Sequence, residues 1–319
     1  TARRPKRLLL LAGRSSPMAR VLITGSLGTI GVPLTFELSD RGHAVFGTDL
    51  RHTDQEVETF MRSDVGDYRE LQRVFHEYQP DVVYHLAAEF GRHNGNRHFS
   101  SVWKTNLIGT HNVLELCDIY GSKLIFASTS EIYGECEEPW LTEDLSEKIP
   151  LRQPNEYALS KWANEQQILN YTARHDVEAV RLRFFNLYGP GENYHPFRSV
   201  VSLFCHRALN GIPWDVYEGY SRTFMYVDDF IPTLANAIDA EAGSVYNIGG
   251  NDYRSIRELS DLVLNQTGAN SDLVTYLPED VHNVKSKRPD NSRAIADLGH
   301  DPKVTLEQGV PLTLEWMES

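Results

Sequence analysis

Apolar runs alternate with amphipathic stretches through the first 190 residues of this 319-residue chain. The runs are nearly continuously apolar, a pattern typical of strands that are buried on both faces of a parallel sheet. The stretches between them have helical spacing, and Gly121 marks the C-terminal end of one helix. The pattern therefore predicts an α/β fold with a doubly wound parallel sheet. The predicted strands are RVLITG (20–25), HAVFGTD (43–49), DVVYHLAA (81–88), KLIFAST (123–129) and EAVRLRFFN (178–186), and the clearest helices are 67–79 and 106–121.

The pattern changes after Gly189, where a loop is followed by a helix at 200–211 and a short strand at 214–219. The segment SVYNIGG at 244–250 reads as a strand that rejoins the first sheet. We therefore expect a dinucleotide-binding domain and a smaller C-terminal substrate-binding domain. The first comprises 18–189, rejoined by about 224–250, and the second comprises 190–223 and 251–319.

The first 17 residues combine basic residues with the apolar run LLLLAG, which superficially resembles a secretory signal. That run is shorter than the apolar core of such signals, so we expect a disordered extension instead, with Met18 as a candidate start. No run of about 18 apolar residues exists, so the sequence predicts no membrane span.

Charge and cysteine content narrow the classes of partner. A net charge of −13, from 31 basic and 44 acidic residues, disfavours a sequence-independent nucleic-acid binder. Cys117, Cys136 and Cys205 are widely spaced and form no C-x-x-C motif, so no metal site is predicted. An odd number of cysteines without pairing signals favours a reducing cytoplasm.

Three glycines follow the first predicted strand in VLITGSLGTIG. Gly25, Gly28 and Gly31 would allow a tight turn and the close approach of a pyrophosphate to a helix N-terminus, although a flexible loop gives the same pattern. Asp49 ends the second strand 21 residues after Gly28, close to the spacing of an acid that binds ribose hydroxyls. Its charge would repel a 2′-phosphate, which favours NAD over NADP, whereas the adjacent Arg51 weakens that preference. The sequence thus predicts a Rossmann-type dinucleotide site.

A further short strand is expected before Arg62, and Asp64 follows it in RSDV. The Asp64 carboxylate could accept a hydrogen bond from the adenine amino group. An acid at this position is also a common helix cap. Both interpretations remain open.

The fourth strand ends in FASTSEIYG, an apolar run that turns into three hydroxyls and a carboxylate. Serine and threonine are common in turns, so a plain turn is one interpretation. The carboxyl end of a parallel strand is also where open α/β sheets bind ligands. Downstream, Tyr157 and Lys161 form a Y-x-x-x-K motif, which is short enough to occur by chance but places both side chains on one helix face.

These motifs occur in a characteristic order: the Gly-rich turn, HLAA at 85–88, the hydroxyl-bearing strand end and Y-x-x-x-K on a helix. Together they resemble the extended short-chain dehydrogenase/reductase family of nucleotide-sugar epimerases, dehydratases and decarboxylases. The resemblance continues through RFFNLYGPGE, RTFMYVDD, VYNIGG and KRPD, and covers nearly the whole chain from about residue 20. It implies NAD as cofactor, a nucleotide-diphosphate sugar as substrate, and a homodimer formed through the helices near 103–120 and 156–173.

The resemblance also implies catalytic roles. Tyr157 would take a proton from a sugar hydroxyl, usually at C4, as hydride passes to the nicotinamide, and Thr129 would hydrogen-bond the same oxygen. Lys161 would lower the pKa of the Tyr157 phenol and hold the nicotinamide ribose. Further contacts to the cofactor are implied at Leu27, Thr29, Ile30, Val65, Leu86, Ala87, Ala88 and Ser128.

Glu131 distinguishes between the reactions of the family. A carboxylate here resembles the lyases, namely 4,6-dehydratases and UDP-glucuronate decarboxylases, while Ser130 departs from the Asp-Glu pair typical of dTDP-glucose dehydratases. The stretch from FRSVV to SRTF is similar to the decarboxylases, although AAEFGR at 87–92 is faintly similar to 3,5-epimerases. We therefore expect a UDP-glucuronate (UDP-hexuronate) decarboxylase. The alternatives are a 4,6-dehydratase, an epimerase at C4 or C3/C5, and, from another class, a non-catalytic NAD-binding scaffold.

Substrate contacts are expected mainly from arginines, because the guanidinium fork pairs bidentately with phosphate oxygens. Each such arginine taken alone could also be an ordinary surface charge. Tyr217 is expected to stack on the base, and Arg92 could either line the sugar pocket or determine specificity. The complete predicted set is Glu89, Arg92, Ser130, Asn186, Arg198, Tyr217, Arg222 and Arg288.

Overall fold

The computed structural model describes residues 19–53, 59–278 and 283–319, so the extension expected at 1–17 lies outside the described residues. The strands are β1 (Arg20–Thr24), β2 (Ala44–Thr48), β3 (Val82–His85), β4 (Lys123–Thr129), β5 (Ala179–Phe184), β6 (Leu187–Tyr188), β7 (Trp214–Tyr217), β8 (Ser221–Tyr226), β9 (Val245–Ile248), β10 (Asp252–Ser255), β11 (Val274–Leu277) and β12 (Ser286–Lys287).

The helices cover both faces of the sheet and build the C-terminal part. They are α1 (Gly31–Asp40), α2 (Tyr68–Tyr78), α3 (Arg92–Arg97), α4 (Phe99–Val102), α5 (Gly109–Tyr120), α6 (Leu145–Lys148), α7 (Glu156–Thr172), α8 (Val200–Leu209), α9 (Val227–Asn236), α10 (Ile256–Thr267), α11 (Ser292–Leu298) and α12 (Leu306–Glu318). A π-helical segment, Trp103–Ile108, joins α4 to α5. Within the described ranges, no helix is both long and apolar enough to cross a membrane.

A parallel six-stranded sheet has the order β2-β1-β3-β4-β5-β9. The predicted α/β class and doubly wound parallel sheet are confirmed. β9 lies beside β5 with Val245 opposite Arg181, as expected for a segment that rejoins the first sheet. The expectation of a strand before Arg62 was wrong for residues 59–61, the described residues there. At these residues the chain makes only an isolated bridge, from Phe60 to Gly47.

The burial of β1 explains why its middle residues, 21–23, are all apolar. Val21 and Ile23 are buried in the core on one face of the sheet, with α1 and α9. Leu22 points the other way, into the core formed with α2 and α5. Because both faces are covered, the strand has no solvent side on which polar residues would be tolerated.

A second, smaller group of strands follows β5. Strands β10, β8 and β12 form a mixed sheet in which β6 also pairs with β8, while β7 pairs with β11. Their core includes Trp214, Phe204 and Val310 and is closed by α8, α10 and α12. Strand β6 falls within 18–189 yet pairs with β8, and the domain limits given above stay a prediction.

Local sequence signals agree with several helix ends. The Asp67 side chain accepts hydrogen bonds from the amides of Arg69 and Glu70 at the start of α2. Gly121 ends α5 with a φ of +69°, the left-handed conformation that favours glycine. The Asn155 side chain caps α7 by accepting from the amide of Ala158, directly beside Tyr157.

Candidate active site

A cleft of about 570 Å³ lies at the carboxyl ends of the parallel strands. Both the Gly-rich turn after β1 and the polar end of β4 line it, which brings together the two main motifs of the sequence. The predicted residues that line the cleft are Gly25, Gly28, Thr29, Ile30, Gly31, Asp49, Arg51, Asp64, Val65, Leu86, Ala87, Ala88, Glu89, Ser128, Thr129, Ser130, Glu131, Tyr157, Lys161, Asn186 and Arg198.

The Gly-rich turn leaves no room for side chains. Gly25 has a φ of +72°, and a Cβ there would lie 2.8 Å from the backbone nitrogen of Ala87. A Cβ on Gly31 would lie 2.4 Å from the carbonyl oxygen of Gly25. No side chain caps the start of α1. The amide of Val32 donates to the carbonyl oxygen of Gly28 and Pro33 has no N–H, so the amide donors at this end of the helix are those of Thr29, Ile30 and Gly31. These residues fit a dinucleotide pyrophosphate.

Asp49 supports the turn as well as lining the cleft. Its carboxylate accepts from the amide of Leu27 at 3.1 Å and from the Arg51 side chain at 3.2 Å. Leu27 thus contacts Asp49 through its backbone and does not line the cleft. The Asp64 carboxylate accepts from Lys104 Nζ at 2.6 Å and from the amide of Gly66 at 2.8 Å. Lys104 was not singled out from the sequence.

Thr129, Tyr157 and Lys161 lie together between β4 and α7. Tyr157 and Lys161 are one helical turn apart, and the Thr129 side chain lies close enough to the Tyr157 hydroxyl to lower its pKa. Lys161 Nζ donates to the carbonyl oxygen of Ala127 at 2.7 Å and lies 4.8 Å from the centre of the Phe126 ring. The motif residues are therefore positioned as a group, while their roles stay predictions.

The expectation that Lys161 lowers the pKa of Tyr157 was wrong for this structure. Burial raises the pKa of Tyr157, and the nearby Thr129 side chain offsets only part of that effect. Burial also lowers the pKa of Lys161 to about 7, although the Glu165 carboxylate acts in the opposite direction. Desolvation outweighs the short-range attraction expected from the motif, because both side chains lie in the protein interior.

Glu131 has a partner that sequence reasoning missed. Its carboxylate accepts a hydrogen bond from Lys287 Nζ, and the Lys287 side chain is only 1% exposed. Lys287 lies in the KRPD motif, where only the neighbouring Arg288 had been assigned a role. No local sequence signal indicates this contact, because Lys287 is brought to the site by the pairing of β12 with β8, which sets it opposite Arg222.

Three basic side chains influence the Glu131 carboxyl. Burial alone would raise the pKa of Glu131, but Lys287, Arg222 and Arg92 together hold it below its usual range. Burial lowers the pKa of Lys287 to about 8, with Glu131 offsetting part of the effect. Glu131 is therefore an ionised carboxylate within an excess of positive charge.

Four of the predicted substrate residues do not line the cleft. Arg92 contacts His93, and Arg222 donates to the carbonyl oxygens of Ser221 and Lys285. Both nevertheless influence Glu131 electrostatically. The Arg288 guanidinium lies 3.8 Å from the centre of the Trp140 ring, and Tyr217 packs edge-on against Tyr220.

Three predicted substrate residues on the cleft wall have protein partners. Asn186, with a φ of +35°, donates to the carbonyl oxygen of Thr223 at 3.1 Å. Arg198 lies over the Phe90 ring, and Glu89 accepts from Asn94 at 2.8 Å. Ser130 begins the short helix that carries Glu131. Among the described residues, no group of acidic, histidine and cysteine side chains could hold a metal ion.

Replacing Gly31 by alanine tests the dinucleotide site. The added methyl would meet the Gly25 carbonyl oxygen at 2.4 Å. Overpacking of this kind costs about 1–3 kcal/mol, so we expect NAD affinity to fall about tenfold or more. Calorimetric titration with NAD measures it, and Val32→Ala, one residue along α1 and 41% exposed, is the matched control. Unchanged affinity in Gly31→Ala would contradict the placement of pyrophosphate at this turn.

Comparison with known proteins agrees with the geometry. The family model of the NAD dependent epimerase/dehydratase family matches residues 21–249. A UDP-N-acetyl-alpha-D-glucosaminuronate decarboxylase of Bacillus cytotoxicus is 31% identical over 325 residues, covering 93% of this chain and 97% of that protein.

Two solved structures are similar over almost their full length. The UDP-glucose 4-epimerase of Thermus thermophilus in complex with NAD is 31% identical with a TM-score of 0.84, covering 94% of this chain and 99% of that chain. MoeE5 in complex with UDP-glucuronic acid and NAD is 26% identical with a TM-score of 0.81, covering 93% of this chain and 98% of that one. The chain thus belongs to the NAD dependent epimerase/dehydratase family, the extended short-chain dehydrogenase/reductases that modify nucleotide sugars with NAD as cofactor.

Proposed function

We propose that the protein is a UDP-hexuronate decarboxylase, with UDP-glucuronate as the leading substrate. The observation that carries the proposal is the excess of positive charge around Glu131, whose carboxylate contacts Lys287 and is influenced electrostatically by Arg222 and Arg92. A hexuronate brings a second carboxylate at C6, which this environment favours and which a neutral sugar lacks. The 31% identical decarboxylase and the likeness to a UDP-glucuronic acid complex support the same choice.

The residues that would hold the cofactor are those of the Gly-rich turn and its supports. Gly25, Gly28 and Gly31 would bind the pyrophosphate with the first amides of α1, and Asp49 would accept from the ribose hydroxyls. Lys161 would hold the nicotinamide ribose. The chemistry that bound NAD would supply is hydride acceptance at the start of the reaction and hydride return at its end.

Tyr157 would act as a phenolate that takes the proton of the C4 hydroxyl, with Thr129 orienting that oxygen. Because burial raises the pKa of Tyr157 in this structure, the role requires positive charge from the bound cofactor to favour the phenolate. The 4-keto group makes the C6 carboxylate part of a β-keto acid, so carbon dioxide leaves and its bonding electrons form an enolate. Protonation at C5 and reduction at C4 then give a UDP-pentose. Glu131 delivers the C5 proton, which it receives from Lys287, because a buried ammonium with a pKa of about 8 is a competent acid near neutral pH.

A 4,6-dehydratase is the second candidate, and the ionisation state of Glu131 favours it. A carboxylate whose pKa lies below its usual range is suited to remove the C5 proton of a 4-keto sugar. Loss of the C6 hydroxyl and hydride return to C6 would complete that reaction. The two lyase reactions differ in product mass.

Product analysis tests the proposed reaction. The purified protein is incubated with NAD and, separately, with UDP-glucuronate, dTDP-glucose, GDP-mannose and UDP-N-acetylglucosamine. We expect loss of carbon dioxide from UDP-glucuronate by mass spectrometry. Loss of water from a neutral sugar would instead establish a dehydratase, and a new chromatographic peak of unchanged mass would establish an epimerase. Wild-type turnover by Tyr157→Phe would contradict the assigned base. No turnover of any of these sugars, together with undiminished biological function of Tyr157→Phe, would instead favour the non-catalytic scaffold.

Lys287→Met tests the proton path to C5. We expect UDP-pentose formation to fall about 100-fold, the scale of a lost general acid. Formation of NADH in the first oxidation and loss of carbon dioxide should persist. The enolate that is not protonated on the protein should then be released, take a proton from water and appear as a 4-keto pentose lighter by two hydrogens than the UDP-pentose. Mass spectrometry and NADH absorbance measure the two steps. Lys285→Met removes an exposed lysine from the same segment and is the control. Unchanged product ratios in Lys287→Met would rule out this path.

We also propose that the protein is a homodimer. Large apolar side chains are exposed on α4, α5, α7 and the π-helical segment between α4 and α5. They are Phe99, Ile108, Ile119, Leu159 and Leu169, between 38% and 60% exposed. An apolar surface formed by these neighbouring helices is suited to pairing with the same surface of a second copy of the chain.

Light scattering of Ile119→Glu tests the dimer. We expect the wild type at dimer mass and the variant at monomer mass, because a buried unpaired charge opposes association. Ile295→Glu, on α11 and 52% exposed, should leave the mass unchanged. A monomeric wild type at working concentration would refute the proposal.

A further inference from the structure

A buried carboxylate lies one helical turn beyond Lys161 and has no part in the reaction outlined above. Glu165 on α7 is fully buried, and its oxygens accept from Arg183 at 2.7 Å and from Arg181 at 3.3 Å. Both arginines are at most 6% exposed. A charge in this position is expensive to desolvate, so its presence calls for a specific role.

Three successive contacts join β4 to the face of α7 that carries the motif. Lys161 Nζ donates to the carbonyl oxygen of Ala127, and the Ser128 hydroxyl donates to Glu165 at 2.5 Å. The Thr129 side chain lies close enough to the Tyr157 hydroxyl to lower its pKa. Consecutive residues of the strand thus meet residues spaced four apart on the helix. A shift of either element would break all three contacts.

Glu165 is itself fixed from the neighbouring strand. Arg183 lies opposite Ser128 in the β4–β5 register, and its guanidinium also donates to the Tyr133 hydroxyl and the Glu143 carbonyl oxygen. The carboxylate therefore cannot follow a movement of α7 without losing partners on β5.

We propose that Glu165 is a positioning residue for Tyr157 and Lys161, holding α7 in register with β4 and maintaining an ammonium at Lys161 through its negative charge. This inference rests on the proposed function in so far as Tyr157 and Lys161 act on the sugar. The charge effect is defined by the groups that face Lys161: Glu165 and Tyr157 on α7, and His85 on β3. Burial lowers the pKa of His85 to about 3, so His85 is neutral and Glu165 is the nearby carboxylate that opposes desolvation of Lys161.

The test follows Lys161 directly, without substrate. Lysines labelled with carbon-13 at Cε are titrated by NMR in the full chain, and Lys161→Met identifies the resonance. Lys161 in the wild type is expected to titrate near 7. In Glu165→Gln the titration should move down by about one pH unit or more, because loss of a nearby negative charge disfavours the ammonium. Glu178→Gln removes an exposed carboxylate and should leave Lys161 unchanged.

Two further variants separate charge from register and guard against misfolding. Glu165→Gln/Arg181→Met keeps the net charge of the cluster and should fold more stably than Glu165→Gln while retaining the lowered Lys161 titration. Ser128→Ala keeps the Glu165 charge, so Lys161 should titrate as in the wild type while kcat falls about tenfold through misplacement. Wild-type titration of Lys161 in folded Glu165→Gln, or in the double variant, would overturn the inference.

The NMR readout also separates this inference from the proposed reaction. A protein that decarboxylates no hexuronate but shows the shifted Lys161 titration retains the Glu165 role on a different sugar reaction. A protein that decarboxylates UDP-glucuronate with an unshifted Lys161 loses the Glu165 role alone. Where turnover is found, the alkaline limb of the rate profile should move down with Lys161 in Glu165→Gln.

Discussion

The contact between the end of β4 and the first two turns of α7 is the feature on which the site depends. A parallel sheet covered on both faces offers polar side chains an exit only at the carboxyl ends of its strands. β4 ends there in Ser128 and Thr129, Glu131 follows on a short helix, and α7 returns beside them with Tyr157 and Lys161. The apolar core thus fixes where the chemistry lies, and the hydrogen bonds across this contact fix its geometry.

Burial is the second constraint, and it acts on every charge at the site. It lowers the pKa of Lys161 and Lys287 and opposes ionisation of Glu131, so each charged group needs a partner of opposite sign within reach. Glu165 on α7 provides the negative charge near Lys161. Lys287 on β12, a short strand of the C-terminal part, provides the positive charge at Glu131.

The parts of the site that sequence predicted are those encoded by short, continuous stretches. The Gly-rich turn, Asp49, the polar end of β4 and the Tyr157 motif each follow from local pattern, and the structure brings them to one cleft. Lys287 could not be assigned to Glu131 because 156 residues separate them, and only the pairing of β12 with β8 brings them together. The pKa of Tyr157 was misjudged for a similar reason, since desolvation depends on the whole surroundings and the motif reports only its own spacing.

The two-residue strand β12 has a consequence for how this site can change. The redox half of the cleft is built by the parallel sheet and α7, whereas Arg222 and Lys287 reach Glu131 from the β8–β12 pair. Phe224 and Tyr226 of β8 belong to the core of the C-terminal part and Met225 belongs to the core of the parallel sheet, whereas neither residue of β12 belongs to either core. Substitutions in the two residues of β12 can therefore alter the electrostatic environment of the sugar without disturbing dinucleotide binding. Such separation offers a physical route by which one scaffold can diverge among lyase and epimerase reactions.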